Sequence, residues 1–149
     1  MFSKVFWVDE DERIWAPERS ILTGLGLQVI PVGDASTALS IISAERPSNI
    51  RLLILDVMLL PGDDHAAFPE QATNGGTETG LILAERLYAI DNEFGSKILF
   101  FSRATRPTII SKTKSLADRI GGFYLPKTIE TQGKHFIKWL KDKQLVEGR

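Results

Sequence analysis

Short apolar runs alternate along this chain with longer segments in which apolar residues recur every three or four positions. The short runs are typical of β-strands, because they are rich in β-branched and aromatic residues and are bounded by turn-forming or acidic ones. Five of them predict strands, at residues 4–8, 27–32, 51–56, 97–101 and 123–125. The third run is apolar without alternation, which is typical of a strand covered on both faces.

A segment with helical periodicity follows each predicted strand. The predicted helices are a first one with Ile14, Trp15, Ile21, Leu22 and Leu25 inward, a second with Ala38, Leu39, Ile41 and Ile42 inward, and three more at residues 80–90, about 107–119 and about 130–143. Asp34 or Ser36 is expected to cap the second helix, and Thr77 or Thr79 the third. Five strands that alternate with five helices predict an α/β fold with an open, doubly wound parallel sheet.

Residues 61–79 interrupt this alternation with two prolines, three glycines and no apolar period. We expect a loop insertion between the third strand and the third helix, within a single domain that covers residues 1–149. A partly ordered flap beside a functional site and a disordered segment both stay open for this loop.

Composition excludes several classes of function. The 149 residues include no cysteine, which rules out disulfides and thiolate metal sites, and a net charge of −1 gives no basic excess for nucleic acid. No apolar run approaches the ~20 residues of a membrane span, and the N-terminus turns acidic too early for a signal peptide. A cytoplasmic protein is expected.

Polar residues follow four of the predicted strands. Asp9 and Glu10 follow the first, Asp56 ends the third, Ser102 follows the fourth, and Lys127 lies just past the fifth. The carboxyl ends of parallel strands share one edge of a sheet, where ligands bind in folds of this class. Carboxylates with open water positions suit Mg²⁺, one carboxylate can attack phosphorus, and lysine and serine can hold phosphoryl oxygens. These residue types predict Mg²⁺-assisted phosphoryl transfer onto an aspartate.

At these positions the chain resembles the CheY-like receiver domains of two-component response regulators. The matching motifs are VDE at 8–10, LILD ending at Asp56, Gly80 before a helix, FFS ending at Ser102, and YLPK with Tyr124 and Lys127. The resemblance spans nearly the whole chain except residues 61–79. It implies the flavodoxin-like (βα)5 fold with strand order 2-1-3-4-5.

The resemblance also implies a role for each matching residue. Asp56 would be the phosphoacceptor, Asp9 and Glu10 would bind Mg²⁺ together with Asp56, and Lys127 would pair with the phosphoryl group. Ser102 would follow the phosphoryl group, and Tyr124 would change rotamer on activation.

A signalling protein rather than an enzyme follows from this resemblance, and we expect a stand-alone receiver. Its partners would be a histidine kinase or a phosphotransfer protein, with a homodimer through the fourth and fifth strand-helix face.

Two other functions stay open. Glu10 is a methylene longer than the usual aspartate, Arg103 is large where a small residue is usual, and Pro126 precedes Lys127 instead of following it. These departures allow a degenerate receiver that binds a partner without being phosphorylated. A phosphohydrolase of the haloacid dehalogenase type, with Asp9 as nucleophile, is less favoured because no acidic pair follows Lys127.

Overall fold

Strands and helices alternate along the chain in the order that the hydrophobic pattern predicts. This computed structural model describes residues 3–11 and 16–146, and within them lie five strands and five helices. The strands are β1 (Lys4–Val8), β2 (Gln28–Val32), β3 (Ile50–Leu55), β4 (Ile98–Ser102) and β5 (Phe123–Pro126). The helices are α1 (Ala16–Gly24), α2 (Ala35–Ser43), α3 (Thr79–Ile90), α4 (Pro107–Ile120) and α5 (Lys134–Asp142), with short 3₁₀ helices at Pro47–Asn49, Asn92–Lys97 and Ile129–Thr131.

The five strands form one parallel sheet in the order β2-β1-β3-β4-β5. This confirms the predicted flavodoxin-like fold and its strand order. β2 lies at an edge of the sheet, and its Pro31 is tolerated there because an edge strand can leave one side without ladder hydrogen bonds.

The sheet separates two apolar layers. One layer joins Phe6, Leu53 and Phe100 to the buried faces of α2, α3 and α4, and the other joins Trp7 and Phe101 to α1 and α5. In β3 the four aliphatic residues 52–55 are fully buried and point alternately into the two layers. The unbroken apolar run in the sequence therefore marks the doubly covered central strand, as predicted.

The cap of α2 is as predicted, whereas that of α3 is not. The backbone N–H of Thr37 donates to Oδ1 of Asp34 at 2.8 Å, which caps α2. Glu78 lies at the cap position of α3 without a capping hydrogen bond from its side chain, so the prediction of Thr77 or Thr79 was wrong. Thr79 is instead the first helical residue, and its hydroxyl donates to the carbonyl of Gly76 at 3.2 Å.

On the other face of the sheet, helix α5 starts later than the hydrophobic pattern predicts. The last helix begins at Lys134 rather than near residue 130, because Ile129–Thr131 forms a 3₁₀ turn and Gly133 adopts a positive φ of 59°. The inward positions Ile14 and Trp15 predicted for α1 lie outside the described residues. No helix within the described ranges is long and apolar enough to cross a bilayer.

The segment 61–79 packs onto the same core as the helices. Phe68 is 1% exposed and belongs to the apolar layer of α2, α3 and α4. The N–H of Asp64 donates to the hydroxyl of Ser36 on α2 at 2.9 Å, and Arg86 on α3 donates to the carbonyl of Ala67 at 3.3 Å. This segment is therefore tied to two helices. Its role as a functional flap stays a prediction.

Helix α3 begins directly against the chain at Asp56. A Cβ on Gly80 would lie 1.9 Å from the carbonyl oxygen of Asp56 and 2.7 Å from Cα of Val57, and both are backbone atoms. The N–H of Gly80 also donates to the carbonyl of Val57 at 2.8 Å. Only a residue without a side chain permits this approach.

We expect Gly80→Ala to lower the free energy of unfolding by about 1–3 kcal/mol, since the added methyl group must displace backbone. The matched control is Gly24→Ala, because a Cβ at Gly24 meets nothing within 4 Å and alanine favours a helix by up to about 1 kcal/mol. Denaturant unfolding curves would measure both. Equal stability of the two variants would contradict the close approach.

Candidate functional site

Two carboxylates and one ammonium meet at the carboxyl edge of the sheet. Nζ of Lys127, after β5, lies 2.5 Å from Oδ2 of Asp9 and 3.0 Å from Oδ2 of Asp56. Asp9 follows β1 and Asp56 follows β3, so three strands contribute to one cluster. The sequence placed these three residues at this edge, and the structure brings them into direct contact.

Backbone hydrogen bonds fix each of the three residues to the sheet. The N–H of Asp9 donates to the carbonyl of Val32 at 3.0 Å, and the N–H of Asp56 donates to that of Val8 at 2.9 Å. The N–H of Lys127 donates to the carbonyl of Ser102 at 2.7 Å. The ladder thus continues one residue past each strand, and the three side chains leave the sheet at one level.

The cluster is largely buried and carries one more negative charge than positive charge. The side chains of Lys127, Asp9 and Asp56 are 3%, 4% and 14% exposed. Each carboxylate accepts from Lys127 and from one backbone N–H, that of Asp11 to Oδ1 of Asp9 at 3.0 Å and that of Met58 to Oδ1 of Asp56 at 3.3 Å. By its exposed fraction, Asp56 is the more accessible of the two acids.

Burial raises the pKa of the Asp56 carboxyl above its ordinary value of 3.8. The Lys127 ammonium opposes this effect, and the Asp9 carboxylate adds to it. A raised pKa means that the folded protein holds the proton more tightly than the unfolded chain. The stability that Asp56 contributes therefore falls as the pH rises from 3.8 through the raised value, and it stays low at neutral pH.

We expect Asp56→Asn to raise the melting temperature at pH 7, because the amide removes a desolvated charge and can still accept from Lys127. The difference from the unsubstituted protein should shrink as the pH falls toward 3.8. Asp142→Asn, at an exposed position on α5, should change little at either pH. A lower melting temperature for Asp56→Asn at pH 7 would contradict this account.

A cavity of about 220 Å³ opens over the cluster. Its lining residues are Asp9, Glu10, Asp11, Asp56, Met58, Arg103 and Lys127. The sequence comparison had already marked Arg103 as large where a small residue is usual. Met58 lies three residues after the end of β3 and Arg103 one residue after the end of β4, so both lie at the same edge of the sheet.

The residues predicted for Mg²⁺ come together only in part. Within residues 3–11 and 16–146, no three acidic or histidine side chains gather closely enough to share a metal ion. Glu10 lines the cavity with an exposed side chain, while Asp9 and Asp56 share Lys127. Mg²⁺ keeps several waters and can be held by one or two carboxylates together with phosphate oxygens. The donor set of Asp9 and Asp56 therefore fits Mg²⁺, with the cation competing against the ammonium of Lys127.

Ser102 and Tyr124, unlike the acids, are not lining residues of the cavity. Ser102 is 1% exposed, its Oγ accepts the N–H of Ala104 at 3.1 Å, and it is not among the cavity-lining residues. Tyr124 is half-buried on β5, and Nζ of Lys114 lies 5.6 Å from the centre of its ring. Burial raises the pKa of the Tyr124 hydroxyl. Neither side chain lines the cavity over Asp9 and Asp56.

The chain has the fold of CheY-like receiver domains. It superposes on a response regulator receiver domain of Methanospirillum hungatei with a TM-score of 0.66 and 19% identity, covering 96% of this chain and 94% of that one. A receiver domain of an HD domain-containing protein from Pseudomonas fluorescens gives 0.66 at 16% identity, covering 97% and 98%. The chemotaxis response regulator CheY4 of Vibrio cholerae gives 0.65 at 19% identity, covering 98% and 100%.

The similarity to these proteins is clear in the backbone structure and weak in the amino-acid sequence. No protein-family model matches the chain, and no curated protein matches it. At these identities the solved structures establish the fold, and the function has to be argued from the site.

Proposed function

We propose that this chain is a response-regulator receiver that accepts a phosphoryl group on Asp56 in the presence of Mg²⁺. The observation that carries the proposal is the contact of Lys127 with both Asp9 and Asp56 beneath an open cavity, within a receiver fold. Asp56 is the acid of this pair that is more exposed to the cavity. It is therefore the better placed nucleophile.

In the transfer, a carboxylate oxygen of Asp56 attacks phosphorus while the bond from phosphorus to the leaving group breaks. The product is an acyl phosphate on Asp56. Lys127 is already within hydrogen-bonding distance of Asp56 and would turn its donors to the phosphoryl oxygens. Asp9 and Asp56 would hold Mg²⁺, which neutralises charge on the transferred group when bound.

We further propose that phosphorylation changes the conformation of the protein on the side of β4 and β5. Ser102 and Tyr124 belong to these adjacent strands, where Phe100 pairs with Tyr124 and Ser102 with Pro126. A shift of Ser102 toward the phosphoryl group would change the packing of Tyr124. This would shift the equilibrium between two conformations of the surface on the side of β4 and β5. A homodimer through that face, and a histidine kinase or a phosphotransfer protein as donor, complete the proposal.

Intact mass after incubation with acetyl phosphate and Mg²⁺ tests the acceptor. We expect a gain of one phosphoryl group, and its complete loss in Asp56→Asn. The matched control is Asp64→Asn, since Asp64 is an exposed acid outside the cavity, and it should be phosphorylated like the unsubstituted chain. A phosphoryl group that persists in Asp56→Asn and disappears in Asp9→Asn would instead support the hydrolase alternative.

A degenerate receiver is the second candidate function. It is favoured by the exposed position of Glu10, by the burial of Ser102 and by the two salt bridges that occupy Asp9 and Asp56. A chain of this kind would gain no phosphoryl group with any donor, and Mg²⁺ would not change the fluorescence of the buried Trp7, two residues from Asp9.

A further inference from the structure

A second cavity adjoins the cavity over Asp9 and Asp56, which we call the acceptor cavity. It has a volume of about 160 Å³ and shares Met58 and Arg103 with the acceptor cavity. Its lining residues are Met58, Thr77, Arg103, Ala104, Thr105, Arg106 and Ile109, and we call it the arginine pocket. Thr77 belongs to the segment 61–79, so the inserted segment supplies one wall. The two cavities are therefore neighbours, with Met58 and Arg103 in the lining of both.

The charge of the arginine pocket is opposite to that of the acceptor cavity. Its lining includes two arginines, Arg103 and Arg106, and two threonines, but no aspartate or glutamate. The side chain of Arg106 makes no hydrogen bond or ion pair with any residue that the structure describes. Guanidinium groups are always charged and match the geometry of carboxylate and phosphate oxygens. The pocket is therefore suited to an anion.

We propose that the arginine pocket binds a second anionic group of a small phosphodonor while the transferred phosphoryl group lies over Asp56. The inference rests on the proposed function of Asp56 as acceptor. The donors would be acyl phosphates that carry a carboxylate at their far end. Arg106 would bind this carboxylate, and Arg103, which lines both cavities, lies at the junction between the two anionic groups.

The reaction is balanced without a further reactant. A carboxylate oxygen of Asp56 forms a bond to phosphorus, and the bond between phosphorus and the acyl oxygen of the donor breaks. The electron pair of that bond leaves with the donor, which departs as a dicarboxylate. Its far carboxylate stays paired with Arg106 until the product dissociates.

The test compares acetyl phosphate with glutaryl phosphate, which has the same reactive group and a second carboxylate. We expect half-maximal phosphorylation, followed by intact mass, at a concentration of glutaryl phosphate at least about tenfold lower than that of acetyl phosphate. Arg106→Ala should abolish this preference, so that both donors give half-maximal phosphorylation at similar concentrations. The matched control is Arg119→Ala, in the last turn of α4 and outside both cavities, and it should keep the preference.

A binding measurement separates failure of the subsite from failure of the acceptor. Glutarate, which cannot transfer phosphate, should shift the backbone amide resonances of Thr105 and Arg106 in the Asp56→Asn variant, and Arg106→Ala should abolish the shift. This shift without phosphorylation from either donor would support the pocket and overturn the acceptor role. If both donors gave half-maximal phosphorylation at the same concentration, and glutarate shifted no resonance, the pocket would be overturned and the acceptor role would stay intact.

Discussion

Lys127→Met should lower the free energy of unfolding by about 3–5 kcal/mol, the usual cost when a buried ion pair loses one of its partners. Lys127 is 3% exposed and is the cation that pairs with both Asp9 and Asp56. Methionine keeps much of the volume of the side chain and removes the charge. Two neighbouring carboxylates would then repel each other with little access to water. Urea unfolding at pH 7 would measure the loss.

A second substitution shows whether charge causes this loss. Lys127→Met combined with Asp56→Asn should recover much of the stability, because one buried carboxylate then replaces two. The matched control is Lys138→Met on the exposed side of α5, which should change stability by no more than about 0.5 kcal/mol. If the double variant were no more stable than Lys127→Met, lost packing rather than charge would explain the effect.

The fold was predictable because local patterns and long-range packing agree. The continuous apolar run of residues 52–55 required two covering layers, and Pro31 required an edge strand. The ends of elements were less predictable. The start of α5 is delayed by a 3₁₀ turn and by the positive φ of Gly133, whose N–H donates to Oε1 of Glu18 at 2.7 Å. That contact joins residues 115 positions apart, which no local pattern reports.

The residues of the site were predictable by position, and their contacts were not. Parallel strands bring their carboxyl ends to one edge, so Asp9, Asp56 and Lys127 could be grouped from the strand pattern alone. The pattern could not show that Lys127 would pair with both acids or that Glu10 would be exposed at the cavity, because rotamers depend on the whole surrounding packing. The arginine pocket was missed for the same reason. Its wall at Thr77 comes from a segment with no apolar period.

The segment 61–79 is expected to contribute to stability through Phe68. This side chain is 1% exposed and packs in the apolar layer of α2, α3 and α4. Phe68→Ala should therefore lower the free energy of unfolding by about 3–5 kcal/mol, the usual cost of emptying a buried phenylalanine site. The matched control is His65→Ala, three residues earlier and exposed, which should change stability by no more than about 0.5 kcal/mol.

The same pair of variants distinguishes a packed segment from a disordered one. In a packed segment, the amide of Phe68, which donates to the carbonyl of Asp64 at 3.0 Å, should be protected from hydrogen exchange, and Phe68→Ala should remove this protection. Loosening the segment should also displace Thr77 from the arginine pocket and weaken the binding of glutarate. Full stability of Phe68→Ala, together with an unprotected amide at Phe68 in the unsubstituted chain, would show that residues 61–79 are disordered and that the pocket lacks its wall.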